Sequence, residues 1–163
     1  MILYIVRHAA AVPYGDPDWP DFDRPLTEKG IARFSQFIQA LATADFAPGI
    51  VATSPLARCR QTAEILSRMV PRQPPVVARE ELAPASDLPG LTSWVAQAAA
   101  DCDQVAWVGH APDVGHLAAA LIGHGSSQIH FSKGAVAAIQ FDGLPARGEG
   151  ELCWLAMPKL LGC

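Results

Sequence analysis

The stretch YIVRHAA, residues 4–10, ends a short apolar run that begins at Ile2. Residues 2–6 are apolar throughout, and Ile2, Ile5 and Val6 are β-branched, the pattern of a strand buried on both faces. The run stops at Arg7-His8, and alanines follow. A strand whose sides are buried but whose end is a cation and an imidazole needs a reason for that end to be polar. Working outward along the chain supplies one.

Residues 11–25, AVPYGDPDWPDFDRP, hold four prolines, four aspartates and a glycine, and read as a loop. Thr27 is placed to cap a helix in which Ile31, Phe34, Ile38 and Leu41 recur at helical spacing. GIVAT at 49–53 is a second strand. Thr53-Ser54-Pro55 follows as an N-cap and first-turn signal, and LARCRQTAEILSRM continues as helix. QPPVV gives a short third strand, residues 80–90 a loop, and LPGLTSWVAQAAA a helix. VAWV at 105–108 is another buried strand, closed by Gly109-His110-Ala111-Pro112, and a helix runs from Pro112 to about Ile122. AVAAIQF and ELCWLAM are the last two strands.

Strands alternating with helices imply right-handed crossovers. The expected fold class is α/β: a three-layer sandwich with a mostly parallel central sheet and helices on both faces. Ligands of such sheets sit outside the carboxyl ends of the strands. Arg7-His8, Thr53-Ser54-Pro55 and Gly109-His110 each lie just past a strand, so three polar ends can meet at one edge of the sheet.

Composition bounds the function. With 163 residues, 50% hydrophobic and 17% charged, residues 1–163 read as a single domain able to bury a core. A formal charge of -4 argues against a nucleic-acid coat or a polybasic membrane anchor. Nine of the twelve basic residues precede position 80, so an anionic ligand would need a local arginine cluster. Cys59, Cys102, Cys153 and Cys163 show no metal-binding spacing. Arg7 interrupts the first apolar run too early for a signal peptide, and no run approaches the ~18 apolar residues of a membrane span. The expected location is cytoplasmic, with reduced thiols.

Three stretches can carry chemistry. A neutral imidazole such as His8 is a competent nucleophile near pH 7, and Arg7 beside it can hold an anion. Taken alone, an Arg-His pair is more often a core or surface feature. In SPLARCRQTAEIL, Arg58 falls in the first turn of a helix, near unsatisfied N–H groups, and its planar donor fork suits phosphate oxygens. Thr62 shares its face, while Arg60 points elsewhere. A solvated cationic face explains the same residues equally well. In VGHAPDVGH, His110 follows a strand and can donate to an oxyanion. His116 lies six residues on and does not share its face, so the pair is no metal site. His124 and His130 read as loop residues. There is no GxxxxGK[ST] loop, no GxGxxG and no GxSxG elbow.

Together, RHA at the first strand end, RPLTEKG at 24–30, SPLARCRQTA at 54–63 and VGHAPDV at 108–114 resemble the histidine phosphatase, or phosphoglycerate mutase-like, superfamily. The short length, RHA in place of RHG, and the closing strand followed by MPKLL resemble its small SixA-type phosphohistidine phosphatase branch. The resemblance implies that His8 attacks phosphorus and becomes a transient phosphohistidine. It further implies that Arg7 and Arg58 bind the phosphoryl oxygens, that His110 completes the pocket, and that neither metal nor other cofactor takes part. Arg24 and Thr27 match family positions, but a loop anchor and a helix cap account for them.

Larger members carry a glutamate that protonates the leaving group. Here the comparable region reads AREELAPASD, and Glu81 is the candidate proton donor. A departing alkoxide needs a donor, whereas imidazole, with a reference pKa of about 6.5, needs one far less. Short connections also leave the pocket open to a side chain on another protein. The expected substrate is a phosphorylated protein, a phosphorelay or phosphocarrier histidine. A small phosphate ester is the alternative, a mutase is disfavoured, and a non-catalytic phosphate-binding module is the competing class. Nucleic acid and membrane are not expected partners.

Overall fold

The computed structural model describes residues 1–163. Its strands are β1 (Ile2–Arg7), β2 (Ile50–Thr53), β3 (Val76–Ala78), β4 (Gln104–Gly109), β5 (Val136–Gln140) and β6 (Glu151–Ala156). Its helices are α1 (Glu28–Ala42), α2 (Ala57–Met69), α3 (Leu88–Ala98) and α4 (Asp113–Ile122). Short 3-10 turns lie at Glu80–Leu82, inside the expected 80–90 loop, and at Pro158–Leu161. The strands form one six-stranded sheet in the order β3-β2-β4-β1-β5-β6. β1 to β4 are parallel, and β5 and β6 join antiparallel on the far side of β1. The expected α/β sandwich with a mostly parallel sheet is therefore present.

The two-residue period of each strand sorts the core into two halves. Leu3 and Ile5 of β1, Val105 and Trp107 of β4, and Ala137 and Ile139 of β5 face α3 and α4. Tyr4 and Val6, Ala106 and Val108, and Val136 and Ala138 face α1 and α2. The two clusters hold 21 and 20 buried residues, so both faces of the central strands β1, β4 and β5 are covered. That is why β1 and β4 read as unbroken apolar runs and not as alternating ones.

The start of α1 explains the RPLTEKG stretch. Thr27 is the N-cap, and its Oγ1 accepts the Gly30 N–H at 3.0 Å. The Ala10 carbonyl, two residues beyond His8, docks on this first turn and accepts the Thr27 N–H at 2.9 Å. A Cβ on Gly30 would lie 2.1 Å from that oxygen, so the approach requires glycine. This contact also corrects the expected apolar stripe. Ile31 is 41% exposed, because Gly30 and not Ile31 meets the neighbouring chain in the first turn. The buried face runs Gly30, Phe34, Phe37, Ile38 and Leu41. Two element starts also shift from expectation. The N-cap of α2 is Leu56 and that of α4 is Pro112, neither with a side-chain cap. Ser54 and Pro55 instead belong to the turn that leads out of β2.

Gly30→Ala should destabilise the fold. Crowding a packed contact costs about 1–3 kcal/mol, and the better helix propensity of alanine returns no more than about 1 kcal/mol. The 2.1 Å approach places the effect at the upper end. Thermal unfolding should show Tm lowered by at least about 2–4 °C. An unchanged Tm would mean that the loop after His8 yields without cost.

Candidate active site

Register places the site. In the parallel pairs, Arg7 lies opposite Gly109 and Thr53 opposite Val108, so β2, β4 and β1 finish side by side. Two further backbone bonds carry the ladder past the strand ends: His8 N–H to Gly109 O and Ser54 N–H to Val108 O, each 3.0 Å. The next residue of each chain segment is then Ser54, His110 and His8, with His110 in the middle. The ring centroids of His8 and His110 are 5.5 Å apart, and Ser54 Oγ lies 2.8 Å from His110 Nε2.

His8 and His110 open onto a cleft of about 460 Å³. Arg7, His8, Arg24, Arg58 and His110 line it, with Tyr14 and Lys133 on the rim side and Asp113 as its one acidic side chain. Arg7, His8, Arg58 and His110 are thus brought together as expected from their strand and helix positions. Arg60 is exposed and faces elsewhere. Thr62, buried on the Arg58 face, donates to the Arg58 carbonyl at 2.6 Å and accepts the Ala9 N–H at 3.0 Å. Ala9 is itself 2% exposed, so a small side chain at this turn fits the space available.

The His8 ring is fixed by its own chain. Its Nδ1 lies 2.8 Å from the Ala9 carbonyl, which can only accept, so Nδ1 carries the proton. In the neutral ring the lone pair then sits on Nε2, which has no protein partner and is not sealed from solvent. Burial pushes the His8 pKa down to about 3, with His110, Arg58 and Arg7 adding to the effect and the Ala9 bond opposing it. Burial, then Arg58, pushes His110 down to about 4. Both rings are neutral over the physiological range.

The guanidinium groups are held in different ways. Arg7 donates to the Phe131 carbonyl at 2.7 Å. Arg58 donates to the Asp21 carbonyl at 2.7 Å and meets the Asp21 carboxylate at 3.4 Å. The same carboxylate pairs with Arg24 at 2.8 Å, and Arg24 also donates to the Val12 carbonyl. Asp21 therefore binds two arginines: burial is the largest single effect and raises its carboxyl, but Arg24 and Arg58 together outweigh it and hold the carboxyl below its ordinary value. The Nε–H groups of Arg7 and Arg58 are buried with no acceptor in the protein.

Glu81 is not brought to the cleft, and the expectation that it stands ready to donate a proton is corrected here. It sits in the 3-10 turn, where Arg79 binds its carboxylate at 2.5 and 3.1 Å. A bond from its own backbone N–H, together with Arg79, holds the carboxyl below its ordinary value despite partial burial. A group so held is ionised at neutral pH and has no proton to give.

Three contributors escaped the sequence reading. Arg24 was assigned to the loop as an anchor, and it is one, yet it also lines the cleft. Asp21 was one aspartate among four, and nothing in the pattern set it apart. Cys59 is fully buried, with Sγ 3.4 Å from His110 Nε2, and burial pushes its thiol up to about 12, so it serves as an inert neighbour of the imidazole. No group of three or more His, Cys, Asp or Glu side chains comes together as a metal-binding set. No helix is long and apolar enough to cross a membrane.

Comparison with known proteins agrees with this geometry. The model of the histidine phosphatase superfamily (branch 1) matches residues 3–140. An uncharacterized protein of Picosynechococcus sp. is 35% identical over 166 residues, covering 99% of each chain. The structure of the protein histidine phosphatase SixA complexed with tungstate superposes with a TM-score of 0.85 at 26% identity, covering 99% of both chains. The SixA-type protein from Nakamurella multipartitia gives a TM-score of 0.79 at 28% identity, covering 96% of this chain and 95% of that one. With four motifs in order and a family model reaching from β1 to the end of β5, the chain belongs to the histidine phosphatase superfamily, branch 1.

Proposed function

We propose that this chain is a phosphohistidine phosphatase acting on a protein histidine, with His8 as nucleophile. The observation that carries the reading is the state of the His8 ring. Its Nδ1–H is tied to Ala9, and its Nε2 lone pair is free at a cleft lined by Arg7, Arg24, Arg58 and a second neutral imidazole. The SixA structure similar to this chain holds tungstate, a tetrahedral oxyanion of the kind that Arg7 and Arg58, lining this cleft, can bind.

The chemistry follows from that arrangement. His8 Nε2 attacks phosphorus in line. The bond from phosphorus to the substrate nitrogen breaks as the bond to His8 forms, and the departing ring takes the electron pair. With a proton on its other nitrogen, that ring leaves as neutral imidazole and needs no acid in the pocket. Charge on the three equatorial oxygens is met by Arg7, Arg58 and His110. As His8 becomes phosphorylated it gains positive charge, and the Ala9 carbonyl, accepting from Nδ1–H, stabilises it. Water then attacks phosphorus on the open side of the cleft and releases inorganic phosphate, and His8 returns to its neutral state.

Two features favour phosphohistidine over a small ester. Glu81 is committed to Arg79 and lies off the cleft, so an alkoxide would lack the donor that larger relatives supply. The cleft is also an open trough that a side chain of another protein can enter. Phosphorelay or phosphocarrier proteins are the matching partner class, and the four unpaired cysteines suit a reducing compartment such as the cytoplasm.

His8→Ala should lower kcat/KM by at least about 10³-fold on any substrate. Arg58→Ala and Arg7→Ala should each lower it by about 10²–10³-fold. Glu81→Gln should leave turnover unchanged. Rates are to be measured on a histidine-phosphorylated protein beside a panel of monoesters, and acid-quenched enzyme should hold a phosphoramidate on His8. Preference for monoesters would place the chain among small-ester phosphatases. Phosphate or vanadate binding without turnover would make it an interaction module.

The pH dependence has a definite sign. The neutral form of His8 is the reactive one, and its pKa is pushed down to about 3. The nucleophile therefore stays active as pH falls through 6.5, the ordinary imidazole value. Once the substrate's own ionisation is divided out, kcat/KM should show no acid limb near pH 6.5 and should decline only as pH approaches 4. NMR titration of the ring protons of the free protein provides the independent check, and a His8 midpoint near 6.5 would refute the assignment.

A further inference from the structure

A second groove, of about 310 Å³, lies beside the cleft and is cationic. Arg33 of α1, Lys133 of the segment before β5 and Lys159 of the final 3-10 turn line it, over a floor that includes Ala9, Gly30 and Gly134. No aspartate or glutamate lines it. All three cations are exposed, and none takes part in a salt bridge. The one polar tie is from Arg33 to the Cys163 carbonyl oxygen at 2.5 Å.

The groove adjoins the cleft. Lys133 lines both. Ala9 directly follows His8, and the Gly134 N–H donates to the His8 carbonyl at 3.1 Å. In a chain with a formal charge of -4, three unpaired cations from three separate elements thus converge beside the nucleophile. A phosphoryl group seated against Arg7 and Arg58 does not call for them. They fit a second set of negative charges on the same substrate.

We infer that this groove docks carboxylates that flank the phosphohistidine of the substrate protein, so that the enzyme reads an acidic segment next to its target. The inference rests on the phosphohistidine reading above and names the chemistry of the partner surface. The glycine and alanine floor leaves room for an extended backbone to lie close to the protein. Recognition of an acidic segment by clustered cations is an established mode of peptide binding. A single-stranded nucleic acid fits less well, because no exposed aromatic side chain lines the groove for base stacking.

The test compares two histidine-phosphorylated peptides, one flanked by glutamates and one by glutamines, at low and high ionic strength. Wild-type protein should favour the glutamate peptide by about tenfold in kcat/KM at low salt, through KM, and the preference should fade as salt rises. R33E/K159E should lose the preference while hydrolysing the glutamine peptide and p-nitrophenyl phosphate as wild type does. Equal kcat/KM for the two peptides, or a preference that survives R33E/K159E, overturns the docking inference and leaves the phosphohistidine reading standing. A fluorescent glutamate-rich peptide without phosphate is titrated by anisotropy in parallel. Binding that R33E/K159E abolishes, without turnover of either phosphopeptide, supports an acidic ligand for the groove and removes the phosphohistidine reading alone. Binding of duplex RNA or anionic vesicles through these residues, with no peptide binding, overturns the inference.

Discussion

The site depends on three parallel strands ending in register. Hydrogen bonds from the backbone of His8 to Gly109 and of Ser54 to Val108 prolong the ladder one step beyond the strands. They set His8, His110 and Ser54 side by side on neighbouring chains. A one-residue slip of β1 against β4 would turn His8 to the opposite face of the sheet and place Leu3 and Ile5 in the wrong layer. The same burial that stabilises the two halves of the core therefore fixes the position of His8. Nothing in the loops has to be ordered for the two imidazoles to meet.

The second constraint is electrostatic. Arg7, Arg24 and Arg58 share one small cleft, and Asp21 is the one carboxylate that pairs with any of them there. It compensates Arg24 and Arg58 and leaves Arg7 to a neutral carbonyl. The surplus positive field and the burial act in the same direction on the two histidines and keep both uncharged. A charged His8 would have no lone pair on Nε2, so the field that favours an anion in the cleft also keeps that nitrogen unprotonated. Asp21 comes from the 11–25 loop, which α2 holds through a bond from the Ala57 N–H to the Phe22 carbonyl at 2.9 Å.

Much of this was legible in the sequence, for reasons that can be stated residue by residue. Apolar runs identified β1 and β4, and the rule that ligands gather at the carboxyl ends of parallel strands joined Arg7-His8 to His110. Helical spacing separated Arg58 and Thr62 from Arg60. What stayed hidden depends on contacts made through space. Asp21 looks like its neighbours until the loop folds back on α2. Glu81 looked available until Arg79, two residues away, took its carboxylate. Arg24 had two compatible roles and was given only one of them. Ile31 had the right period, but a period cannot say which turn of a helix meets another segment.

Thr62 gives this architecture a mechanical property. One hydroxyl accepts from the Ala9 amide and donates to the Arg58 carbonyl, so it rivets the turn after His8 to the first turns of α2. His8 and Arg58 arrive from opposite sides of β4 in the sheet order, and this rivet ties the segments that carry them to each other. Valine, similar in size and shape to threonine, would fill the same volume and leave the two parts free to drift apart.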